Sequence, residues 1–241
     1  MFRGRYARLA ILGAAGLAAC GGNDVVLPND RLAAKIVTAR GDNQAGTVGG
    51  ALADSAVVRV TDAKEQPVSG QTVSFSVVSG GGSVSPTMAT TDANGLASTR
   101  WTLGGVAGAQ QIKAQATGNG APANVSVLVN ASAGASAATA IALVAGDNQT
   151  GTAGSPLTDS LVVKATDTDG NPVAGAAVQW TVTGGGTVSA ATTPTGADGH
   201  AAVKRTLGPS AGAQTAVATA TGLTGSPITF HSSSPRRWKT T

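Results

Sequence analysis

The sequence predicts an all-β protein built as two tandem β-sandwiches, and three observations lead there. One stretch of about a hundred residues is written twice. Its apolar residues alternate with polar ones over short runs. Glycine, proline and asparagine punctuate those runs at close intervals. The composition agrees. Apolar residues make up 41% of the 241 residues, but only seven are aromatic, and charged residues are 12%. Such a chain builds thin layers from alanine and valine rather than a thick aromatic core.

The repeat dominates the reading. Residues 41–70 (GDNQAGTVGGALADSAVVRVTDAKEQPVSG) align with 146–175 (GDNQTGTAGSPLTDSLVVKATDTDGNPVAG) at a constant offset of 105, with 17 of 30 positions identical. Residues 73–85, 91–104 and 108–118 then find partners at 178–190, 195–208 and 212–222, after one residue is lost before the glycines. Two units follow, 34–132 and 138–232. Residues 133–137, small and uncharged, form a short linker between them.

Within a unit the period is two. Val58 and Val60 flank Arg59; Val73, Phe75 and Val77 alternate with Ser74 and Ser76. Val178, Trp180 and Val182 alternate with Gln179 and Thr181, and Val125, Val127 and Val129 form a last run. Turn residues at Gln66-Pro67, Gly80-Gly81-Gly82, Asp92-Ala93-Asn94-Gly95 and Gly104-Gly105 separate the runs. No stretch after residue 33 has a helical period. About seven half-buried strands in a hundred residues is the pattern of an immunoglobulin-like sandwich. The pair of cysteines that staples antibody domains is absent, so packing must replace it. Phe75 and Trp180 hold the same place in the repeat and are the expected core markers. Trp101 of the first unit becomes Arg205 in the second. An arginine fits a tryptophan's core position poorly, so this position is expected near a strand end, where the stem can snorkel to water.

The N-terminus reads as an address. Residues 1–8 carry Arg3, Arg5 and Arg8 and no acid, and residues 9–19 are uninterruptedly apolar. That run is too short for a spanning helix, which takes about 20 residues, and matches a secretory signal. It ends Leu17-Ala18-Ala19-Cys20-Gly21, which resembles the bacterial lipobox. The resemblance implies cleavage after Ala19 and lipid attachment to Cys20, the only cysteine, giving a signal peptide over 1–19. More than one acyl chain on that residue would make membrane anchoring stable. Gly21, rather than an aspartate, implies the outer membrane by similarity to Gram-negative lipoproteins. Residues 20–33 then form the lipidated cysteine and a tether.

The net charge of +4 is misleading, because Arg3, Arg5, Arg8, Arg236, Arg237 and Lys239 sit at the two ends. Removing these six leaves ten basic against twelve acidic residues. The body has no basic stripe, so no nucleic-acid partner is expected.

The strings GDNQ-x-G-T-x-G, L-x-D-S, P-V-x-G, G-G-G and G-A-x-x-x-x-A-x-A-T-G together resemble bacterial immunoglobulin-like domain group 1, the repeat of invasin and intimin. The match covers about 190 residues in two copies. It implies a rod-like scaffold of the cell surface, a structural spacer or adhesion part, whose partner is a host-cell or envelope protein. The chain departs from intimin-type adhesins in lacking a barrel and a lectin-like tip, so receptor-binding residues do not carry over. The alternative is a specific recognition protein whose loops bind a protein or glycan; the loop at 62–67 does differ from that at 167–172.

No catalytic site, metal site or cofactor is expected. Asp167-Thr168-Asp169-Gly170-Asn171 lacks the sixth-position glycine and twelfth-position acid of a calcium loop, so it reads as a turn. The triple glycines lack the Lys-Ser/Thr and the helix of a phosphate loop. His200 and His231 have no partner at metal-ligand spacing, and the Asp-Ser pairs at 54–55 and 159–160 have no base in the first copy. The tail, 233–241, is basic and carries Trp238. It reads as a solvated end or an altered or truncated terminus, against a segment that touches anionic envelope polymers.

Overall fold

The computed structural model describes residues 32–118, 120–122 and 124–236. Leu17, Ala18, Ala19 and Cys20, most of the tether, and tail residues 237–241 lie outside the described residues. Everything described is strand, turn or loop, and no helix among the described residues is long and apolar enough to cross a membrane.

The first unit contains β1 (Lys35–Arg40), β2 (Gln44–Thr47), β3 (Ala56–Thr61), β4 (Thr72–Ser79), β5 (Gly82–Ser85), β6 (Met88–Thr90), β7 (Leu96–Leu103), β8 (Gly108–Thr117) and β9 (Ser126–Gly134). The second contains β10 (Ala140–Ala145), β11 (Gln149–Thr150), β12 (Leu161–Thr166), β13 (Ala177–Thr183), β14 (Gly186–Val188), β15 (Thr192–Pro194), β16 (His200–Val203), β17 (Arg205–Leu207), β18 (Gly212–Thr219) and β19 (Ile228–Ser234). The last strand of each unit thus runs two residues past 132 and 232.

Each unit is a sandwich of two sheets. In the first, β1-β3-β7-β5 faces β2-β9-β8-β4-β6. In the second, β10-β12-β16 and the pair β14-β17 face β11-β19-β18-β13-β15. Pairing is antiparallel except where β2 and β11 run parallel to β9 and β19. Both units carry a register shift at the end of the first strand, between Thr38 and Arg40 and between Leu143 and Ala145. It frees the chain to cross from one sheet to the other at the GDNQ motif.

The alternating valines do what a period of two requires: Val58 and Val60 are fully buried and Arg59 is exposed. Phe75 and Trp180 are each 3% exposed and stand opposite Ala114 and Ala218 on the neighbouring strand. Trp180 adds a tilted ring contact with Phe230, centroids 5.9 Å apart, and its indole N–H donates to Thr193 Oγ1 at 2.8 Å. Alanine opposite each ring lets the two sheets close over it.

Arg205 corrects the sequence reading. It is fully buried, not at a solvent-facing strand end. It holds the place in its strand pair, opposite Val188, that Trp101, also buried at 1% exposure, holds opposite Val84 in the first unit. The head group stays inside because Nη2 finds carbonyl acceptors on the triple-glycine loop: Thr183 O at 3.4 Å and Gly185 O at 3.1 Å.

That loop shows why three glycines stand in a row. Gly80, Gly81 and Gly82 all have positive φ (84°, 77° and 86°), and Gly184, Gly185 and Gly186 repeat this at 84°, 87° and 79°. Residues with a Cβ rarely adopt this conformation. A side chain at Gly82 or Gly186 would also run into the carbonyl of Thr102 or Thr206 on the facing strand.

Candidate functional site: the junction between the sandwiches

Two repeated motifs prove to be clasps. In GDNQ, the Gln44 side chain accepts from the Asp54 N–H at 2.9 Å and donates to the carbonyls of Gly41 and Asp54 at 3.0 and 2.9 Å. Gln149 makes the same three bonds to Asp159 and Gly146. The aspartate of the motif reaches the last strand: Asp42 Oδ1 accepts from Asn130 N–H at 2.8 Å, and Asp147 Oδ1 from His231 N–H at 2.6 Å. The backbones of Asp54 and Asp159 are therefore the anchor points of this loop.

The second clasp is a buried glutamine at one pole of each sandwich. Gln110 Oε1 accepts from Gly104 N–H at 2.9 Å, and its amide donates to Val106 O at 2.8 Å. Gln214 does the same with Gly208 at 2.7 Å and Ser210 at 3.0 Å. These side chains hold the 104–107 and 208–211 loops in shape, since a buried polar group must be satisfied.

The loop shaped by Gln110 meets the second sandwich. Asn171 Oδ1 accepts from the Ala107 N–H at 3.0 Å, and its Nδ2 donates to Gly105 O at 2.9 Å. Behind Asn171 stands Asp167, 3% exposed. Its carboxylate accepts from Asn171 N–H (2.8 Å), Asp169 N–H (3.0 Å) and the Asn171 amide (3.0 Å). It also accepts the Ser136 N–H of the linker at 3.0 Å. One acidic turn thereby ties together the first sandwich, the linker and the second sandwich. Gly105 is open to this approach, for a Cβ there would lie 3.3 Å from the Asp169 carboxylate.

Burial by itself would push the Asp167 carboxyl up. The hydrogen bonds from the Asn171 side chain and from the backbone of Ser136, Asn171 and Asp169 outweigh it and hold the pKa at about 2. A carboxyl lowered by folding stabilises the fold above its unfolded value, near ~3.9. That contribution is lost as pH falls from there through about 2. A carboxyl-carbon NMR titration is therefore expected to give Asp167 a midpoint at about 2, and the junction to loosen as pH falls below ~3.9; an Asp167 titrating near the unfolded value of ~3.9 would contradict this.

In the first sandwich the equivalent turn is Asp62-Ala63-Lys64-Glu65-Gln66, where Glu65 takes the left-handed φ (62°) that Gly170 takes at 84°. It faces no preceding sandwich among the described residues. The sequence flagged this pair of loops as the place where the copies diverge; the structure puts the divergence at the contact between sandwiches. Asn171 was legible only as a turn residue, because nothing local shows which residue a second sandwich will meet.

The remaining candidates stay apart. His200 Nδ1 lies 3.0 Å from Asp198 and His231 Nδ1 3.3 Å from Asp147, both pairs at the surface. Among the described residues no group of three His, Cys, Asp or Glu could hold a metal. The open cavity on the second sandwich is lined by Ala138, Gln179, Thr192, Thr219 and small apolar neighbours, without an ionisable group.

Comparison with known proteins decides the family of the first sandwich. Residues 36–130 match the model of the bacterial Ig-like domain, group 1. The first sandwich belongs to that family. No curated protein sequence matches the chain. Among solved structures, the Ig-like domain and its repeat are similar to InvD of Yersinia pseudotuberculosis, at 22% identity and TM-score 0.48 over 86% of this chain and 59% of that one. FdeC, an Escherichia coli adhesin, follows at 22% identity and TM-score 0.45, over 83% of this chain and 63% of that one. The D0–D1 segment of intimin gives 21% and 0.33, over 83% and 95%. This chain thus spans about three fifths of the InvD and FdeC structures, and values this low carry no function across.

Proposed function

We propose that the chain is a non-enzymatic, lipid-anchored spacer of the bacterial cell envelope, an Ig-like rod of adhesion type. The observation that carries the reading is the junction. A passive tether needs no interdomain hydrogen bonds, whereas here Asn171 bonds the first sandwich in both directions while Asp167 fixes both the turn and the linker. Such a contact keeps two sandwiches aligned and transmits their combined length. Membership of the first sandwich in the group 1 Ig-like family supports the surface role.

In this reading Leu17-Ala18-Ala19 precede the cut and Cys20 carries the lipid, which places the protein in the outer membrane. The units 34–132 and 138–232 hold a partner surface, belonging to a host cell or to the envelope itself, away from the bilayer. Metabolic labelling with a palmitate analogue tests the anchor: the wild-type chain is expected to take the label and fractionate with membranes, and Cys20→Ala to lose the label and be released. Equal membrane retention of both forms would contradict the anchor. Protease treatment of intact cells then distinguishes an outward rod from a periplasmic one.

A further inference from the structure

The turn that joins β6 to β7 carries a chemistry the spacer reading does not use. It runs Asp92-Ala93-Asn94-Gly95-Leu96. Among the described residues Asn94 is the one asparagine followed by glycine, and it is exposed. Glycine has no Cβ to shield its amide nitrogen. That nitrogen can therefore attack the side-chain carbonyl carbon of the asparagine before it, the step that begins loss of the amide. The other described asparagines precede bulkier residues, and Asn130, Asn148 and Asn171 also spend their side-chain amides on hydrogen bonds.

Two features of the turn restrain the attack. The Asp92 carboxylate clamps it: Oδ1 accepts from Asn94 N–H at 2.8 Å and from Leu96 N–H at 2.9 Å. The Gly95 N–H is itself held by Asp92 O at 2.9 Å, so its nitrogen attacks only when the turn opens. The second sandwich shows the same turn in altered form. Gly196 stands where Asp92 does, and Asp198 where Asn94 does. Gly199 N–H still donates to Gly196 O at 2.9 Å, and Gly199 keeps the left-handed φ of Gly95, 77° against 73°. The backbone turn thus forms without the clamp, and it accepts an aspartate in the place of Asn94.

We propose that Asn94 is a site of spontaneous deamidation whose rate is set by the Asp92 clamp. The Gly95 nitrogen bonds to Cγ of Asn94 and gives up its proton, while the side-chain nitrogen leaves as ammonia. The cyclic imide so formed takes up a water. Water at Cγ breaks the new C–N bond and gives aspartate on an unaltered main chain, the residue the second sandwich already holds. Water at the main-chain carbonyl carbon breaks the original peptide bond instead and gives isoaspartate, whose main chain is longer by a carbon. That product misplaces Gly95 O, which in the intact turn accepts from Val60 N–H at 2.8 Å. Either product adds a negative charge to the turn.

Peptide mapping by mass spectrometry tests this, on the purified full chain kept folded in mildly alkaline buffer. Asn94 is expected to lose its amide faster than any other described asparagine. Asp92→Gly should speed that loss by about tenfold, the factor that a hydrogen bond to a charged group contributes, while the other asparagines keep their rates. Asp92→Asn, which retains an acceptor oxygen without the charge, should fall between the two. Hydrogen exchange at Val60 N–H should quicken in the isoaspartate fraction and stay as in wild type in Asn94→Asp. An Asn94 that keeps its amide as long as the other asparagines do would overturn the site. Equal rates at Asn94 in wild type, Asp92→Asn and Asp92→Gly would overturn the clamp.

Discussion

Trp180→Ala is expected to destabilise the second sandwich strongly while leaving the first intact. The ring is 3% exposed, meets Phe230 and spends its N–H on Thr193. Its partner directly across the strand is the buried Ala218, too short to fill the space the ring leaves. A cavity that cannot collapse gives the upper part of the range for aromatic truncation, about 4 kcal/mol. A domain of this size has only about 5–15 kcal/mol in all. Calorimetry should show the transition of the second sandwich falling by about 20 °C with that of the first unmoved. A fall of under about 5 °C would mean that the ring is not the keystone of that core.

Asn171→Ala is expected to uncouple the two sandwiches. The substitution removes both bonds to the first sandwich and the amide that faces Asp167, and it leaves Ala107 N–H and Gly105 O without their partner. The loss in stability is modest, about 1–2 kcal/mol, because the freed groups can reach water. The loss in alignment is not modest, since the linker itself is short but made of small residues. Two consequences follow for measurement. Backbone relaxation should give the two sandwiches separate tumbling times in the variant, and the Asp167 carboxyl should titrate higher than about 2 once its first hydrogen-bond partner is gone. Asn171→Gln restores the amide on a longer stem, as Gln66 has it in the first copy, and should recover the coupling only in part.

The fold was legible because its signals are local and repeated. Val58, Val60, Val73 and Phe75 alternate with polar neighbours, and each alternation names one buried face without knowledge of anything distant. The repeat doubled every such signal. GDNQ was visible as a motif, but its work was not: Gln44 reaches Asp54 and Asp42 reaches Asn130, and such partners, ten and eighty-eight positions away, meet only after the sheets form. Arg205 misled for a related reason. The rule that charge stays near water is sound for an isolated side chain, yet here three acceptors, from the end of β13, the triple-glycine loop and Gln214 on β18, gather around one nitrogen. The junction was the least legible part. Asp167-Thr168-Asp169-Gly170-Asn171 reads as a turn in any single sandwich, and only the presence of a second sandwich turns its asparagine into a contact.

The central claim is that the sandwiches are held in one orientation by that turn. Residual dipolar couplings of the wild-type chain in weak alignment test it directly. The account predicts that a single alignment tensor fits the couplings of residues 35–134 and 140–234 together. Two tensors of different magnitude for the two stretches would contradict it.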